Sequence, residues 1–209
     1  MGSMFYHTAL FNQDLNSWDV SKVTDMSWMF YGNLVFNGNI SSWTSPLCLT
    51  MHKMFENCDA FNSDISTWQT GAVIDMESMF ERTDTFNANI GGWNVSSVTN
   101  FDRMLSYAIA FNQNLSTWNV TSATNMFYMF YQSGLFEGDG LGSWTPINLS
   151  TYTGADTGAS NMLTGTGITQ VNYDAILTGW SGLTFANEGV DLDSVPSNYS
   201  VGVQTARHI

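Results

Sequence analysis

A recurrence every 25 residues constrains this chain more than any other feature. Phe-Asn pairs fall at Phe11-Asn12, Phe36-Asn37, Phe61-Asn62, Phe86-Asn87 and Phe111-Asn112, and tryptophan keeps the same interval at Trp18, Trp43, Trp68, Trp93 and Trp118. Between them lie Leu15, Ile40, Ile65, Ile90 and Leu115. Two more columns, three residues apart, hold Met26, Met51, Met76, Phe101 and Met126, then Met29, Met54, Met79, Met104 and Met129. The second is followed by Phe30, Phe55, Phe80, Leu105 or Phe130. A unit this short cannot bury an apolar face alone, so the core must come from stacking neighbours, and matched columns are the result.

Within a unit the Trp-x-Val alternation has period 2 and predicts a short strand with both side chains inward. The next apolar positions recur every three to four residues and predict a short helical or 3₁₀ segment, capped by the Ser, Thr, Asp or Asn before it. The expected fold class is therefore an α/β repeat: a leucine-rich-repeat-like solenoid with short parallel strands, short helical or 3₁₀ segments and a C-terminal cap. Residues 1–3 read as an expression remnant. Residues 4–149 read as five full 25-residue repeats with irregular end repeats, the sixth reaching Trp144 one residue late. Residues 150–209 read as a capping region with a helix near 169–180, whose apolar stripe is Val171, Tyr173, Ile176, Leu177 and Trp180.

The run from Phe11 to Phe30, Phe-Asn-Gln-Asp-Leu-Asn-Ser-Trp-Asp-Val-Ser-Lys-Val-Thr-Asp-Met-Ser-Trp-Met-Phe, resembles the bacterial surface-protein repeat of about 26 residues, related to the BspA-like leucine-rich repeats. The likeness covers residues 4 to 145, and Val171–Trp180 looks like the segment that often follows such arrays. It departs from the pattern at Ser45-Pro46-Leu47-Cys48. The resemblance implies a right-handed solenoid in an extracellular or cell-surface setting, within a larger protein that supplies any membrane attachment. It brings no catalytic residues.

Charge narrows the partners. With 18 acidic against 5 basic residues the net charge is -13, which disfavours nucleic acid and anionic lipid. A calcium-binding solenoid is a lesser alternative function, with no Asp-x-Asp-x-Asn-Gly loop to mark a site. His7, His52 and His208 share no register, so neither a metal nor a cofactor is expected. Cys48 and Cys58 stand at packing positions, no nucleophile or phosphate loop is evident, and no enzymatic activity is expected.

Function then rests on exposed columns. The residues flanking the inward Trp and Val of the expected strand, Ser17, Asp19, Thr44, Thr67, Gln69, Asn94, Thr117 and Asn119, are the candidate ligand-binding positions, facing a host or neighbouring-cell protein or glycan. Asn12, Asn37, Asn62, Asn87 and Asn112 are assigned to a structural ladder, because a buried amide left unpaired costs about 1–3 kcal/mol. The tryptophans could stack on sugars, but large apolar residues at a fixed register are expected in the core. The alternative function is a structural spacer. An ice-binding face on Thr24, Thr50, Thr99 and Thr124 is interrupted at Asp75. Met4 and Phe5, at the open edge of the first coil, offer end-to-end self-association.

Overall fold

The computed structural model describes residues 1–149 and 158–184. The chain winds in stacked coils, but the expected strands do not form. Among the described residues the regular elements are one 3₁₀ turn, Leu141–Ser143, and one α-helix, Gln170–Trp180, here α1. The bridges between coils are isolated parallel ones, Asp25 to Thr50, Thr50 to Asp75, Asp75 to Asn100 and Asn100 to Asn125. The α/β assignment, with its leucine-rich-repeat-like right-handed solenoid of short parallel strands, is therefore corrected.

The backbone shows what replaces them. From Met26 to Gly32, alternate N–H groups cross to the next coil: Met26 to Thr50 O, Trp28 to His52 O, Phe30 to Met54 O and Gly32 to Glu56 O, at 2.9–3.1 Å. The intervening groups close local turns, Met29 to Met26 O, Tyr31 to Trp28 O and Asn33 to Phe30 O. A strand would send its bonds outward and a helix would keep them within; here each second peptide does one and the rest do the other. Spacing of three in the apolar residues fits consecutive turns as well as 3₁₀ helix. The discriminating feature is backbone handedness, with Trp28, Lys53, Ser78, Arg103 and Tyr128 all at φ between 51° and 60°. The Trp-x-Val segment is likewise a turn corner, Trp43 N–H bonding Ile40 O and Cys48 N–H bonding Ser45 O.

Residues 1–3 share this register. Ser3 donates to Ser27 O as Trp28 does to His52 O, and the Met1 amino group donates to Asp25 O.

Stacked aromatic columns fill the interior. Phe36, Phe61, Phe86 and Phe111 stack with ring centroids 5.9–6.0 Å apart. Phe30, Phe55 and Phe80 form a second row at 5.4 and 5.7 Å. Each meets the first row closely, as Phe80 meets Phe86 at 3.9 Å. In the fourth coil Phe101 replaces a methionine where Leu105 replaces a phenylalanine, so bulk is exchanged between neighbouring positions and both stay fully buried. Trp43, Trp68, Trp93, Trp118 and Trp144 are buried too, which removes them as a sugar-stacking row. Each indole N–H bonds the carbonyl of the preceding coil's aliphatic column, Leu15, Ile40, Ile65, Ile90 and Leu115 respectively. Buried donors of this kind need a partner, and the stack supplies it.

The far end holds a coil that the column reading misses. Met126, Tyr128, Phe130 and Gln132 donate to the carbonyls of Gly158, Ser160, Met162 and Thr164, repeating the turn ladder after an insertion. Asn161 and Gly165 take the same positive φ, 55° and 74°, as the matching residues upstream. Helix α1 is then capped by Thr169, whose hydroxyl accepts the Asn172 N–H at 3.2 Å. It buries Tyr173, Ile176, Leu177 and Trp180, while Val171 is exposed. Trp180 donates its indole N–H to Leu141 O at 3.1 Å, so a helix provides the next rung of the tryptophan ladder.

Candidate functional site

The eight positions singled out on the expected strand face are all exposed, yet most of them maintain the coil. Asp19, Asn94 and Asn119 accept the backbone N–H two residues on, from Ser21, Ser96 and Thr121, at 2.9–3.1 Å. Thr67 and Thr117 donate their hydroxyls to the carbonyls of Ser41 and Gly91 in the preceding coil. Ser17, Thr44 and Gln69 are exposed at the same corner. Stacking brings these residues into one row, but a row of turn closures.

The asparagines at 12, 37, 62, 87 and 112 form a continuous chain on the surface. Each Oδ1 accepts the backbone N–H of the residue 25 positions on, from Asn37, Asn62, Asn87, Asn112 and finally Glu137, at 2.8–3.0 Å. The neighbouring column, Asp14, Asn39, Asp64, Asn89 and Asn114, closes a local turn in every coil.

A different face carries the chemical variety. The positions between the buried methionines hold Ser27, His52, Glu77 and Asp102, half-buried, and the buried Phe127 in one column. The next holds Trp28, Lys53, Arg103 and Tyr128, half-buried, and the buried Ser78. Three residues on come Tyr6, Tyr31, Glu56, Glu81, Ser106 and Tyr131, of which Glu56 and Ser106 are buried, then His7, Gly32, Asn57, Arg82, Tyr107 and Gln132. Three of the five Lys and Arg residues of the chain, Lys53, Arg82 and Arg103, stand here. The buried methionine, phenylalanine and tryptophan columns keep nearly one residue type each, and these change from coil to coil.

The face is a charged centre between two aromatic clusters. At one side Tyr6 stacks on Tyr31 at 5.1 Å, and Trp28 lies 4.8 Å from Tyr31 and 5.4 Å from His52. At the other, Tyr128 lies 4.0 Å from Phe127 and 4.4 Å from Tyr131. Cations tie the centre to both. Lys53 Nζ is 5.0 Å from the Trp28 ring, the Arg82 guanidinium 5.2 Å from Tyr107, and that of Arg103 4.9 Å from Phe127 and 5.4 Å from Tyr128.

Backbone strain concentrates on the same columns. Trp28, Lys53, Ser78, Arg103 and Tyr128, with Asn57, Arg82, Tyr107 and Gln132, sit in the left-handed region at φ of 51–60°. Non-glycine residues persist there when the surrounding structure compensates, and the rungs to the next coil do so.

Electrostatics in the centre are set by burial. Lys53 pairs with Glu56 at 3.0 Å, and burial pushes the Glu56 carboxyl up despite that ammonium. Asp102 is held by Arg103 Nη1 at 2.8 Å. Burial still lifts its carboxyl from 3.8 to about 6, Arg103 opposing the rise and Glu77 and Glu81 adding to it. Because the folded chain binds this proton more tightly than the unfolded one, Asp102 contributes most to stability below about pH 4 and loses that contribution as pH rises to about 6. Asp102→Asn is expected to gain stability relative to the native chain between about pH 4 and about pH 7. Urea midpoints at the two pH values measure it, and a difference independent of pH would mean that Arg103 fully compensates the burial.

The buried thiols are unreactive by environment. Burial pushes Cys48 up to about 11 and Cys58 up to about 12, and Cys58 Sγ donates to Phe30 O at 2.9 Å. Thr83 and Ser133 use the same position to bond Phe55 O and Leu105 O.

Comparison with known proteins turns on the coils themselves. A family model described as "Mycoplasma protein of unknown function, DUF285" matches residues 1–84 and 49–166. The chain belongs to the DUF285 family. This replaces the BspA-like, leucine-rich-repeat-related assignment. The 25-residue periodicity and aromatic columns that suggested it lie largely within the matched residues, where the coils of this chain are built from turns instead of strands. The cell-surface setting rested on that resemblance, and the DUF285 description names no location. No curated protein and no solved structure matches the chain. Among the described residues of this DUF285 protein no helix is long and apolar enough to cross a membrane.

Sequence reasoning passed over the turn face because its attention went to what recurs. The signal was present in what does not: at fixed register, Trp28, Lys53, Ser78, Arg103 and Tyr128 mix aromatic, cationic and small polar side chains. Without the knowledge that these positions point outward, such a column reads as ordinary variation.

Proposed function

We propose that this chain is a non-enzymatic recognition module that binds a protein partner through the varied turn face. The observation behind this reading is the contrast between near-constant inward columns and an outward face where Trp, Tyr, Arg and Lys gather beside carboxylates. Trp, Tyr and Arg dominate the energetics of protein interfaces, since they bury large area at low entropic cost and retain a polar handle. Alternating charge sets the register of a partner and excludes wrong ones. Leu34, Val35, Ile109 and Leu135, exposed in the two columns two and three positions after the last of the face, extend it with apolar area. A repeat scaffold suits this use, because one backbone geometry displays different side chains coil after coil.

The repeat also supplies its own test substitutions. Trp28→Ser places there the residue that Ser78 has in the same left-handed region, and Arg82→Gln the one that Gln132 has. Native chain and double variant, compared on arrays of immobilised proteins and glycans, should differ by at least about tenfold for the specific hit, with unchanged urea midpoints. Gln69→Thr, on the turn-corner row, should leave the hit intact. A glycan hit would change the partner class, and binding that survives the double variant would move the site. Absence of any hit favours the structural-spacer reading.

A further inference from the structure

We propose that His52, Asp75 and Glu77 form a binding site for a first-row divalent cation of the zinc class. This goes beyond the partner-recognition reading and does not depend on it. The stack creates the site: His52 and Glu77 share a column in successive coils, and Asp75 precedes Glu77 by two residues. Their backbones are fixed by rungs, Met51 N–H to Asp75 O at 3.0 Å and Lys53 N–H to Glu77 O at 2.8 Å, and by the Thr50–Asp75 bridge.

The donor atoms converge. His52 Nδ1 lies 3.8 Å from Asp75 Oδ2 and 3.7 Å from Glu77 Oε2, and one ligand atom from each residue falls within 4.8 Å of the others. These separations exceed hydrogen-bond length. Tetrahedral bonds of about 2.1 Å place donors about 3.4 Å apart, so small side-chain rotations bring all three onto one ion. Outer contacts orient the carboxylates. Asp75 Oδ1 accepts the Glu77 N–H at 3.0 Å, leaving Oδ2 for the site, and Asn100 Nδ2 donates to Glu77 Oε2 at 3.1 Å.

One imidazole with two carboxylates selects zinc-like ions over calcium, which takes six to eight oxygens. The side chains are 21–31% exposed, so solvent or a partner's donor can complete the coordination. A net charge of -13 raises the local concentration of any cation.

Two variants test the site without threatening the fold, because the repeat already uses both residues. Ser27 occupies the His52 column, and Asn100 and Asn125 occupy that of Asp75 while making the same turn bond. Calorimetric titration of the full chain with zinc chloride should give one saturable equivalent and a raised melting temperature. His52→Ser and Asp75→Asn should each weaken binding at least about tenfold, with circular dichroism unchanged. No saturable zinc binding by the native chain, or native-like binding in either variant, overturns the proposal.

Discussion

Phe80→Ala is expected to destabilise the fold by about 3–5 kcal/mol, the usual cost of emptying a fully buried aromatic position. Phe80 has no exposure, stacks on Phe55 at 5.7 Å and Phe86 at 3.9 Å, and approaches Trp93 at 6.2 Å. In a one-dimensional stack each coil contacts only its neighbours, so a void at the centre weakens two interfaces at once. Urea unfolding should show a lower midpoint and a reduced slope as the two halves begin to melt separately. Phe5→Ala, at a half-buried ring of the first coil, should cost less. A loss under about 2 kcal/mol with an unchanged slope would mean that the aromatic rows are loosely packed.

Gly179→Ala carries the next largest expected effect, and its sign is informative. Inside an isolated helix alanine outdoes glycine by about 1 kcal/mol. In α1, however, a Cβ at this position would lie 2.0 Å from Gly142 O and 3.0 Å from its carbonyl carbon, both backbone atoms. The helix must lift off the Leu141–Ser143 turn, straining the Trp180 bond to Leu141 O. Overpacking of this kind costs about 1–3 kcal/mol. Hydrogen exchange should show faster opening across Gln170–Trp180, with the coils before Phe130 unaffected. A stabilised variant would show that the helix is not seated on the turn.

How much of this was legible before the fold was known varies by residue. The apolar columns from Phe11 to Phe130 report burial because a side chain repeated at one register must meet its own copies in the stack. The turn geometry was hidden, since spacing of three is shared by 3₁₀ helix and by consecutive turns, and between Trp28 and Gln132 the left-handed residues are not glycines except at Gly32. The resemblance to leucine-rich repeats failed at the same point: it relied on columns that both backbone arrangements satisfy.

The turn face and the coil at 158–166 show the opposite case. Asn161, Met162 and Gly165 hold the coil register only after an insertion that shifts every column, so position matching loses them. His52, Asp75 and Glu77 look unrelated along the chain, being 23 and 25 residues apart. Periodicity by itself determined that this protein is a stack, how its units align and which side chains lie inside, because burial demands like residues at like positions. Only the tertiary structure decided how the backbone closes each coil and which residues from neighbouring coils meet, since these depend on hydrogen bonds between peptides and on the direction in which each turn points its side chain.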